Sequence, residues 1–281
     1  MPANNNRDAD SSRQQGRHTT SSKNNHASPM SAARLKRLYS SMLQSRMTNA
    51  LLRKNDADAA HGTGLEAIIA GPAVHLNAND LIAPSPYRAL ARLVQGTPFA
   101  DIFAECTTKP GKSASKDGST AIGEQLHLAA GMALACKLMK KDSVVLCLAI
   151  SDEEPDCWWN AVRFSAGHKL PVVFVLAHAI EKQPRDAGGP RIRAQKLAPA
   201  ITVDGNDAVA VSRVAEESTR RARQGLGPSL IECLLDRRHD PLLFMENYLK
   251  QRALWSAPWK QGLVRRFSHD LTAARLHQYP G

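Results

Sequence analysis

Two apolar runs on either side of a helix-length segment, within residues 143–179, constrain the fold of this chain more than any other feature. The runs read SVVLCLAI and LPVVFVLA, and both are rich in β-branched residues. Near-continuous apolar strands are typical of parallel sheets buried on both faces, so the pattern predicts a strand–helix–strand unit. Because ligands of such sheets bind beyond the carboxyl ends of the strands, we expect functional residues near positions 150–152 and 176–180.

The size and composition of the chain predict one large folded domain. Its 281 residues are enough to bury a full core, and 43% of them are hydrophobic and 22% charged. No apolar run approaches the ~18 residues that a membrane span needs. The five cysteines show no C-x-x-C spacing, as is usual for thiols in a reducing cytosol. We therefore expect a cytoplasmic protein that makes no membrane contact.

The composition changes at about residue 30. Residues 1–30 are mainly Asn, Ser, Gln, Thr and charged residues, which predicts a disordered polar tail before a single domain at 31–281. Patterns predict helices at 31–54, 66–76 (interrupted at Gly71-Pro72), 86–95, 98–106, 124–140 and 207–223, strands at 201–203 and 228–235, and two helices after Asp240-Pro241. Together they predict an α/β fold, a doubly wound, mainly parallel sheet with helices on both faces and extra helices at both ends.

The net charge of +11 makes nucleic acid or another acidic partner a hypothesis to weigh. The arginine clusters are scattered along the chain at 220–223, 237–238 and 265–266. None of them is interleaved with aromatic residues in the manner of a base-stacking surface. We therefore expect these side chains on solvated helix faces and expect no nucleic-acid partner.

A series of short motifs follows the order of a known family. They are LY and ML within 38–43, His61 with GLEA at 64–67, PYRA at 86–89, AIGEQLHLAAGMALACK at 121–137, KLPVVFV at 169–175, VDGND at 203–207, GPSLIE at 227–232 and YLKQRALW at 248–255. On these motifs, from about residue 35 to residue 273, the chain resembles the α subunit of the thiamine-diphosphate-dependent 2-oxo acid dehydrogenases. These are the E1 components of the pyruvate, branched-chain and acetoin complexes. Each motif alone is weak, but seven or more in order make a strong signal of the fold.

The resemblance implies a fold, a cofactor and partners. In that family thiamine diphosphate lies between an α and a β subunit, and the α subunit holds the diphosphate through a divalent metal such as Mg²⁺. The β subunit supplies the glutamate that activates the aminopyrimidine, and the oxidoreductase passes the acyl group of a 2-oxo acid to a lipoyl domain. The resemblance thus implies the thiamine-diphosphate-binding fold, a β-like subunit in an α2β2 heterotetramer, and a lipoyl acyltransferase (E2) as a further partner.

The resemblance also assigns candidate cofactor-binding residues. Tyr87-Arg88 retains a guanidinium that suits a phosphate, although the pair could equally be the first turn of an ordinary helix. Ile122-Gly123 matches the place where the family's backbone meets the aminopyrimidine. His239 is either the remnant of a loop that closes over the diphosphate or a surface histidine at a helix start.

The family's metal-binding positions carry different residues in this chain. Family members have Gly-Asp-Gly at the end of the first strand of the central unit and Asn-Asn at the end of the second. The aligned residues here read AIS at 149–151 and HA at 178–179. Ile150 and Ala179 stand where the Asp and Asn ligands belong, and neither offers an oxygen to a hard cation. We therefore expect no metal ligand and no catalytic residue at these positions.

Three hypotheses follow from the sequence. The one that fits the residues best is an E1 α-like protein that has lost its metal site, a pseudoenzyme that serves as a structural or regulatory partner of a β-like subunit. The second is an active E1 α subunit with a shifted metal site at Asp152, Glu153 and Glu154, which otherwise oppose the dipole of the next helix. The third is a basic binding protein that uses the polar tail and the arginine clusters.

Overall fold

Five parallel strands form the centre of the fold, in the order β1-β2-β3-β5-β4. The computed structural model describes residues 30–55, 62–107, 122–150, 158–179 and 195–278. Its strands are β1 (Leu81–Ile82), β2 (Val145–Ile150), β3 (Val172–Ala179), β4 (Ala200–Asp204) and β5 (Ser229–Leu235). Its helices are α1 (Ala32–Asn55), α2 (Glu66–Ala73), α3 (Arg88–Gln95), α4 (Phe99–Thr107), α5 (Ile122–Leu138), α6 (Trp158–Gly167), α7 (Ala208–Arg223), α8 (Pro241–Gln251) and α9 (Ala257–Gln278). All these elements belong to one compact unit that begins at Ser31.

Helices α5 and α6 cover one face of the sheet. Successive strand residues point to opposite faces, and alternate residues of β2 and β3 join small residues of α5 and α6 in one apolar cluster. The buried members of this cluster include Val145, Cys147, Val172, Phe174, Ala129, Ala133 and Ala161. The alanines let the helices lie close to the strands, so β2 and β3 are buried on this face as the apolar runs predict.

Helices α2 and α7 pack against each other and cover the other face. Every residue of α2 is buried. A Cβ atom at Gly71 would lie 2.8 Å from Cγ1 of Val211 on α7, so glycine permits the close approach of the two helices. Helix α7 begins directly after Asp207, whose carboxylate caps it by accepting hydrogen bonds from the amides of Val209 (2.9 Å) and Ala210 (3.0 Å). The predicted α/β fold with helices on both faces of a parallel sheet is confirmed.

A buried carboxylate aligns the amino ends of β1 and β2. The Asp80 side chain accepts hydrogen bonds from the backbone amides of Val144 (2.8 Å) and Asn77 (2.7 Å). It also pairs with Arg223 at 2.6 Å, where the carboxylate is fully buried. Strand β1, which these contacts hold against β2, is not among the strands that the sequence predicts. A two-residue strand is too short to show a period in the sequence.

The helices at the two ends of the domain meet around one carboxylate. The Tyr39 hydroxyl of α1 donates to Oε1 of Glu246 on α8 at 2.7 Å, and Nζ of Lys260 on α9 lies 2.6 Å from the same oxygen. The ring of Tyr39 also packs 5.3 Å from that of Trp259. These contacts confirm the extra helices that the sequence predicts. Within the described ranges no helix is long and apolar enough to cross a membrane.

Two helix predictions differ from the structure. Helix α2 continues through Gly71-Pro72 to Ala73 without the expected interruption, because it is completely buried and tertiary packing outweighs weak local propensity. Helix α3 begins at Arg88 rather than at residue 86, with Tyr87 as the residue before it. The predicted tail at 1–30 lies, except for Met30, outside the residues that the structure describes.

Candidate functional site

The two positions that align with the family's metal ligands are the last residues of neighbouring strands. Ile150 ends β2 and Ala179 ends β3. Ile150 pairs with Ala177 in the parallel register, so Ile150 and Ala179 lie on the same face at the carboxyl edge of the sheet. Both side chains are hydrocarbon, and that of Ala179 is buried. The fold therefore brings the two positions together, but neither side chain supplies an oxygen ligand.

The described residues at this edge, Ile150 and Ala179, do not fit a magnesium-bound diphosphate. Mg²⁺ prefers carboxylate, amide and carbonyl oxygens in nearly octahedral geometry. Among the described residues there is no group of three or more His, Cys, Asp or Glu that could hold a metal ion. The alternative ligands of the sequence analysis, Asp152, Glu153 and Glu154, lie outside the described residues.

Arg88 lies at the carboxyl end of β1, next to β2. It is the first residue of α3, directly after Tyr87, and its Nε donates to the carbonyl oxygen of Ile82 at 3.3 Å. Ile82 is the last residue of β1 and pairs with Leu146, four residues before Ile150 on β2, so this contact holds the guanidinium at the carboxyl end of β1. Guanidinium groups suit phosphates, and a role of Arg88 in binding one stays a prediction.

Ile122 and Gly123 lie in the first turn of α5, the helix that packs against β2. Sγ of Cys147 on β2 is 3.8 Å from the carbonyl oxygen of Gln125, one turn into the helix. Burial raises the pKa of the Cys147 thiol to about 12, so this cysteine is a core residue rather than a nucleophile. The structure thus places the first half of α5 beside β2, and the contact of Ile122 and Gly123 with an aminopyrimidine stays a prediction.

The turn after β5 carries His239, and Asn206 clamps it to the turn after β4. Nδ2 of Asn206 donates to the carbonyl oxygen of His239 (3.2 Å), and Oδ1 accepts from the amide of Asp236 (2.9 Å). The His239 side chain is 66% exposed, and its Nδ1 lies 3.2 Å from the Asp236 carboxylate. Hydrogen bonds from Arg238 hold the pKa of Asp236 well below its usual range. Arg238 pairs with this carboxylate at 2.7 Å, so the negative charge beside His239 is compensated.

An ion network around the buried Glu66, beside this turn, was not anticipated from the sequence. Arg46 of α1 donates to both carboxylate oxygens of Glu66, at 2.8 and 2.9 Å, and to both of Asp240, each at 2.8 Å. The Glu66 side chain is fully buried, and the amide of Gly64 also donates to it at 3.0 Å. The guanidinium lowers the pKa of Asp240. The only signal in the sequence is a charged residue beside the apolar stripe of α1.

His178, aligned with the first Asn of the family motif, lies near a buried carboxylate. Its Nε2 is 3.8 Å from Oε1 of Glu232 on β5, and the hydroxyl of Thr202 on β4 donates to Oε2 at 2.5 Å. Glu232 is only 3% exposed. The pattern of any single strand does not predict this cluster, because the cluster joins side chains from β3, β4 and β5. Two potential ligands and a hydroxyl do not make a metal site.

Comparison with known proteins agrees with this architecture. Residues 37–274 match the model of a family described as dehydrogenase E1 component. The pyruvate dehydrogenase E1 component subunit alpha of Staphylococcus aureus (strain Mu50) is 28% identical over 185 residues, which are 54% of this chain and 50% of that protein. The protein of the same name from Acholeplasma laidlawii is 32% identical over 189 residues, 62% of this chain and 54% of that protein.

A longer match is found with a third relative of the same name, from Staphylococcus epidermidis. It is 26% identical over 238 residues, which are 71% of this chain and 64% of that protein. The chain therefore spans between half and two thirds of the length of the curated relatives it matches.

Proposed function

The chain belongs to the dehydrogenase E1 component family, and on that premise we propose that it is an α-like subunit that does not hold the cofactor metal. It would serve as a structural or regulatory partner of a β-like subunit, in an α2β2 assembly of the thiamine-diphosphate-dependent 2-oxo acid dehydrogenase type. A lipoyl acyltransferase is the further partner of such an assembly. The observation that carries the proposal is the pair of hydrocarbon side chains, Ile150 and Ala179, at the two strand ends.

The physical argument rests on the cost of desolvating ions. A dication and a diphosphate lose water when they enter a protein, and they bind only where protein oxygens replace it. Ile150 and Ala179 would displace water from the two ions, but their hydrocarbon side chains supply no oxygen in its place. These two strand ends therefore supply no side-chain oxygen ligand for the cofactor metal.

The parts of the fold that would support a partner do not depend on a metal. The Arg46 network and the Asn206 clamp tie the end helices and the strand-end turns together through protein groups alone. A chain with these contacts can keep its shape after its metal ligands are lost, because fold and function are separable.

The test is a calorimetric titration of thiamine diphosphate, with Mg²⁺ and with a chelator in its place, into the chain co-purified with its candidate β-like subunit. We expect a stable complex of the two chains and no heat that depends on Mg²⁺. The β-like subunit alone is the control, because it reveals any binding that does not involve this chain.

Two results would overturn the proposal in different ways. Micromolar, Mg²⁺-dependent binding would show a working site, and its loss in Asp152→Ala, Glu153→Ala or Glu154→Ala would identify the replacement ligands of an active subunit. Failure of the two chains to co-purify would remove the partner role and leave only the family assignment.

We also propose a cytoplasmic location. Cys136, Cys147 and Cys233 are free and buried, and burial raises the pKa of each thiol. Free thiols in the core of a protein are typical of a reducing compartment.

A further inference from the structure

The amino ends of β2, β3 and β5 form a basic edge of the sheet, opposite the edge where the metal-ligand positions of the family lie. Helices α5, α6 and α7 end there, immediately before these three neighbouring strands. Lys140 and Lys141 follow α5, Lys169 follows α6, and all three are exposed. Lys137, in the last turn of α5, is exposed as well. We call these four lysines the amino-edge cluster.

Contacts between the loops bring the lysines of the cluster together. Nζ of Lys137 donates a hydrogen bond to the carbonyl oxygen of His168, which joins the end of α5 to the end of α6. A Cβ atom at Gly227 would lie 3.4 Å from Cα of Lys169, so the loop before β5 lies against the loop before β3. The cluster is therefore one continuous surface rather than a set of separate helix ends.

The backbone at Lys140 and Lys169 is unusual for lysine. Their φ angles are 53° and 46°, in the left-handed region that favours glycine. The two helices end in the same type of turn, in which the amide of Lys140 donates to the carbonyl oxygen of Lys137 and that of Lys169 to Ala166, each at 3.1 Å. Helix α7 ends in this turn too, but with Gly225 at a φ of 71°. Lysine thus occupies two positions where glycine would be less strained.

The helix dipole explains only part of this arrangement. A cation in the last turn of a helix is favourable, and Lys137 already supplies one to α5. The dipole does not require a lysine at the residue whose backbone is left-handed. Strained residues persist where the surrounding structure or a function retains them, and the side chains of Lys140 and Lys169 are exposed to solvent. The strain therefore points to a role for positive charge at this edge.

The charges around the cluster indicate the kind of partner. Within the described part of the chain no carboxylate pairs with any lysine of the amino-edge cluster. Asp142 is 79% exposed beside the cluster and lies 3.7 Å from Arg223. A membrane or a nucleic acid would bring phosphates to this carboxylate, whereas a protein segment can place carboxylates on the lysines and an amide on Asp142. Leu226, which is 52% exposed in the loop before β5, offers such a segment an apolar contact.

We propose that the amino-edge cluster binds an acidic segment of another protein, which lies extended across the ends of α5 and α6. These two helices pack against each other, and the axes of packed helices are roughly 8–10 Å apart. That distance is about three residues of an extended chain, so carboxylates at every third residue match the lysines. Complementary charge of this kind gives an interface its specificity. The surface is at the opposite edge from Ile150 and Ala179, so the inference is independent of the proposed loss of the metal site.

Fluorescence anisotropy of a labelled peptide, titrated with the full chain, tests this inference. The probe is a short peptide in which Glu recurs at every third position between Leu and Ser, and the same peptide with Gln in place of Glu is its control. We expect the natural chain to bind the Glu peptide, and added salt to weaken the binding. Lys140→Gly combined with Lys169→Gly should weaken it by about tenfold or more, because both central charge pairs are lost.

Two further variants separate the cluster from net charge and from backbone conformation. Arg213→Gln combined with Arg265→Gln removes the same amount of charge from exposed sites outside the cluster and should leave binding unchanged. Ala253→Gly relieves the same left-handed backbone at the end of α8, where φ is 55°, and should also leave binding unchanged. Urea unfolding should show that the glycine variants are at least as stable as the natural chain, because glycine adopts this backbone without strain.

Three results of the titration would overturn the inference. They are a Glu peptide that does not bind, a Gln peptide that binds as tightly, and equal weakening by the lysine and the arginine double variants. Duplex DNA and vesicles of phosphatidylserine with phosphatidylcholine are titrated in parallel. If either binds through the cluster more tightly than the Glu peptide does, the edge recognises phosphate and the proposal of an acidic protein segment is wrong.

Discussion

At the scale of single residues, charged groups tie the helix ends near the carboxyl edge of the sheet together. Arg46, which is half-buried, is the clearest case, since one guanidinium binds Glu66 and Asp240 together in bidentate geometry. Glu66 has no exposed side-chain surface, so its charge depends on this partner and on the amide of Gly64. The network joins α1 and α2 to the cap of α8.

Removing the guanidinium should therefore destabilise the fold strongly. Arg46→Ala leaves Glu66 buried without its counter-charge, and breaking a buried pair in this way costs about 3–5 kcal/mol. Urea unfolding followed by circular dichroism measures the change. The matched control is Arg220→Ala, which removes the exposed pair with Glu217 and should change the free energy of unfolding little, because solvent screens an exposed ion pair. If both variants lost the same free energy of unfolding, the Arg46 network would contribute no more to stability than an exposed ion pair does.

His75 should make the stability of the protein depend on pH. Its Nε2 lies 2.8 Å from Oγ of Ser212, and burial lowers the pKa of the imidazole, with nearby Glu216 opposing the shift and Arg34 adding to it. The unfolded chain, with an ordinary histidine pKa of about 6.5, then binds a proton before the folded chain does. The free energy of unfolding should consequently fall as the pH decreases below about 6.5 and level off below the folded-state pKa.

A pair of histidine variants isolates this effect. His75→Gln should flatten the dependence of unfolding free energy on pH below about 6.5, the ordinary histidine pKa. His269→Gln, which replaces a histidine whose side chain is 85% exposed, should leave the slope as it is. If both variants keep the slope of the natural chain, other groups are responsible for it.

At the scale of elements, the contact of α2 with α7 shows how packing sets local structure. The eight residues of α2 include a glycine and a proline, and the helix nevertheless persists because every one of them is buried. Gly71 allows the approach, with Val211 at 2.8 Å and the amide nitrogen of Ser212 at 3.3 Å from the position of a Cβ atom.

Adding one methyl group should therefore change the free energy of unfolding in opposite directions at two helical glycines. Gly71→Ala should destabilise the protein by about 1–3 kcal/mol, because it overpacks a contact that includes backbone. Gly262→Ala on α9 should stabilise it by up to about 1 kcal/mol, because it raises helix propensity in open space. Denaturant unfolding of both variants measures the difference, and a stabilising Gly71→Ala would show that α2 and α7 can move apart freely.

At the scale of the whole molecule, a family fold brings two hydrocarbon side chains together at the carboxyl edge of the sheet. The sheet order and the helices on both faces agree with membership of the dehydrogenase E1 component family. Ile150 and Ala179, which end β2 and β3, lie on the same face at this edge. The fold thus places the two strand ends, and the side chains there fix their chemistry.

Features that depend on residues close together in the chain can be predicted from the sequence. Apolar runs identify β2 and β3 as parallel strands buried on both faces, because this burial requires an apolar residue at nearly every position. Asp207 and Asp240 identify the starts of α7 and α8, because a cap bonds to amides two or three residues ahead. The order of the short motifs further identifies the family, and with it the residues expected at the strand ends.

The features that join distant parts of the chain are seen in the tertiary structure alone. Strand β1 exists because Asp80 binds the amide of Val144, 64 positions later, and α2 is continuous because α7 covers it. The link between Arg46 and Asp240 spans 194 positions. Contacts of this kind depend on how the elements assemble rather than on local propensity, so no local pattern in the sequence could reveal them.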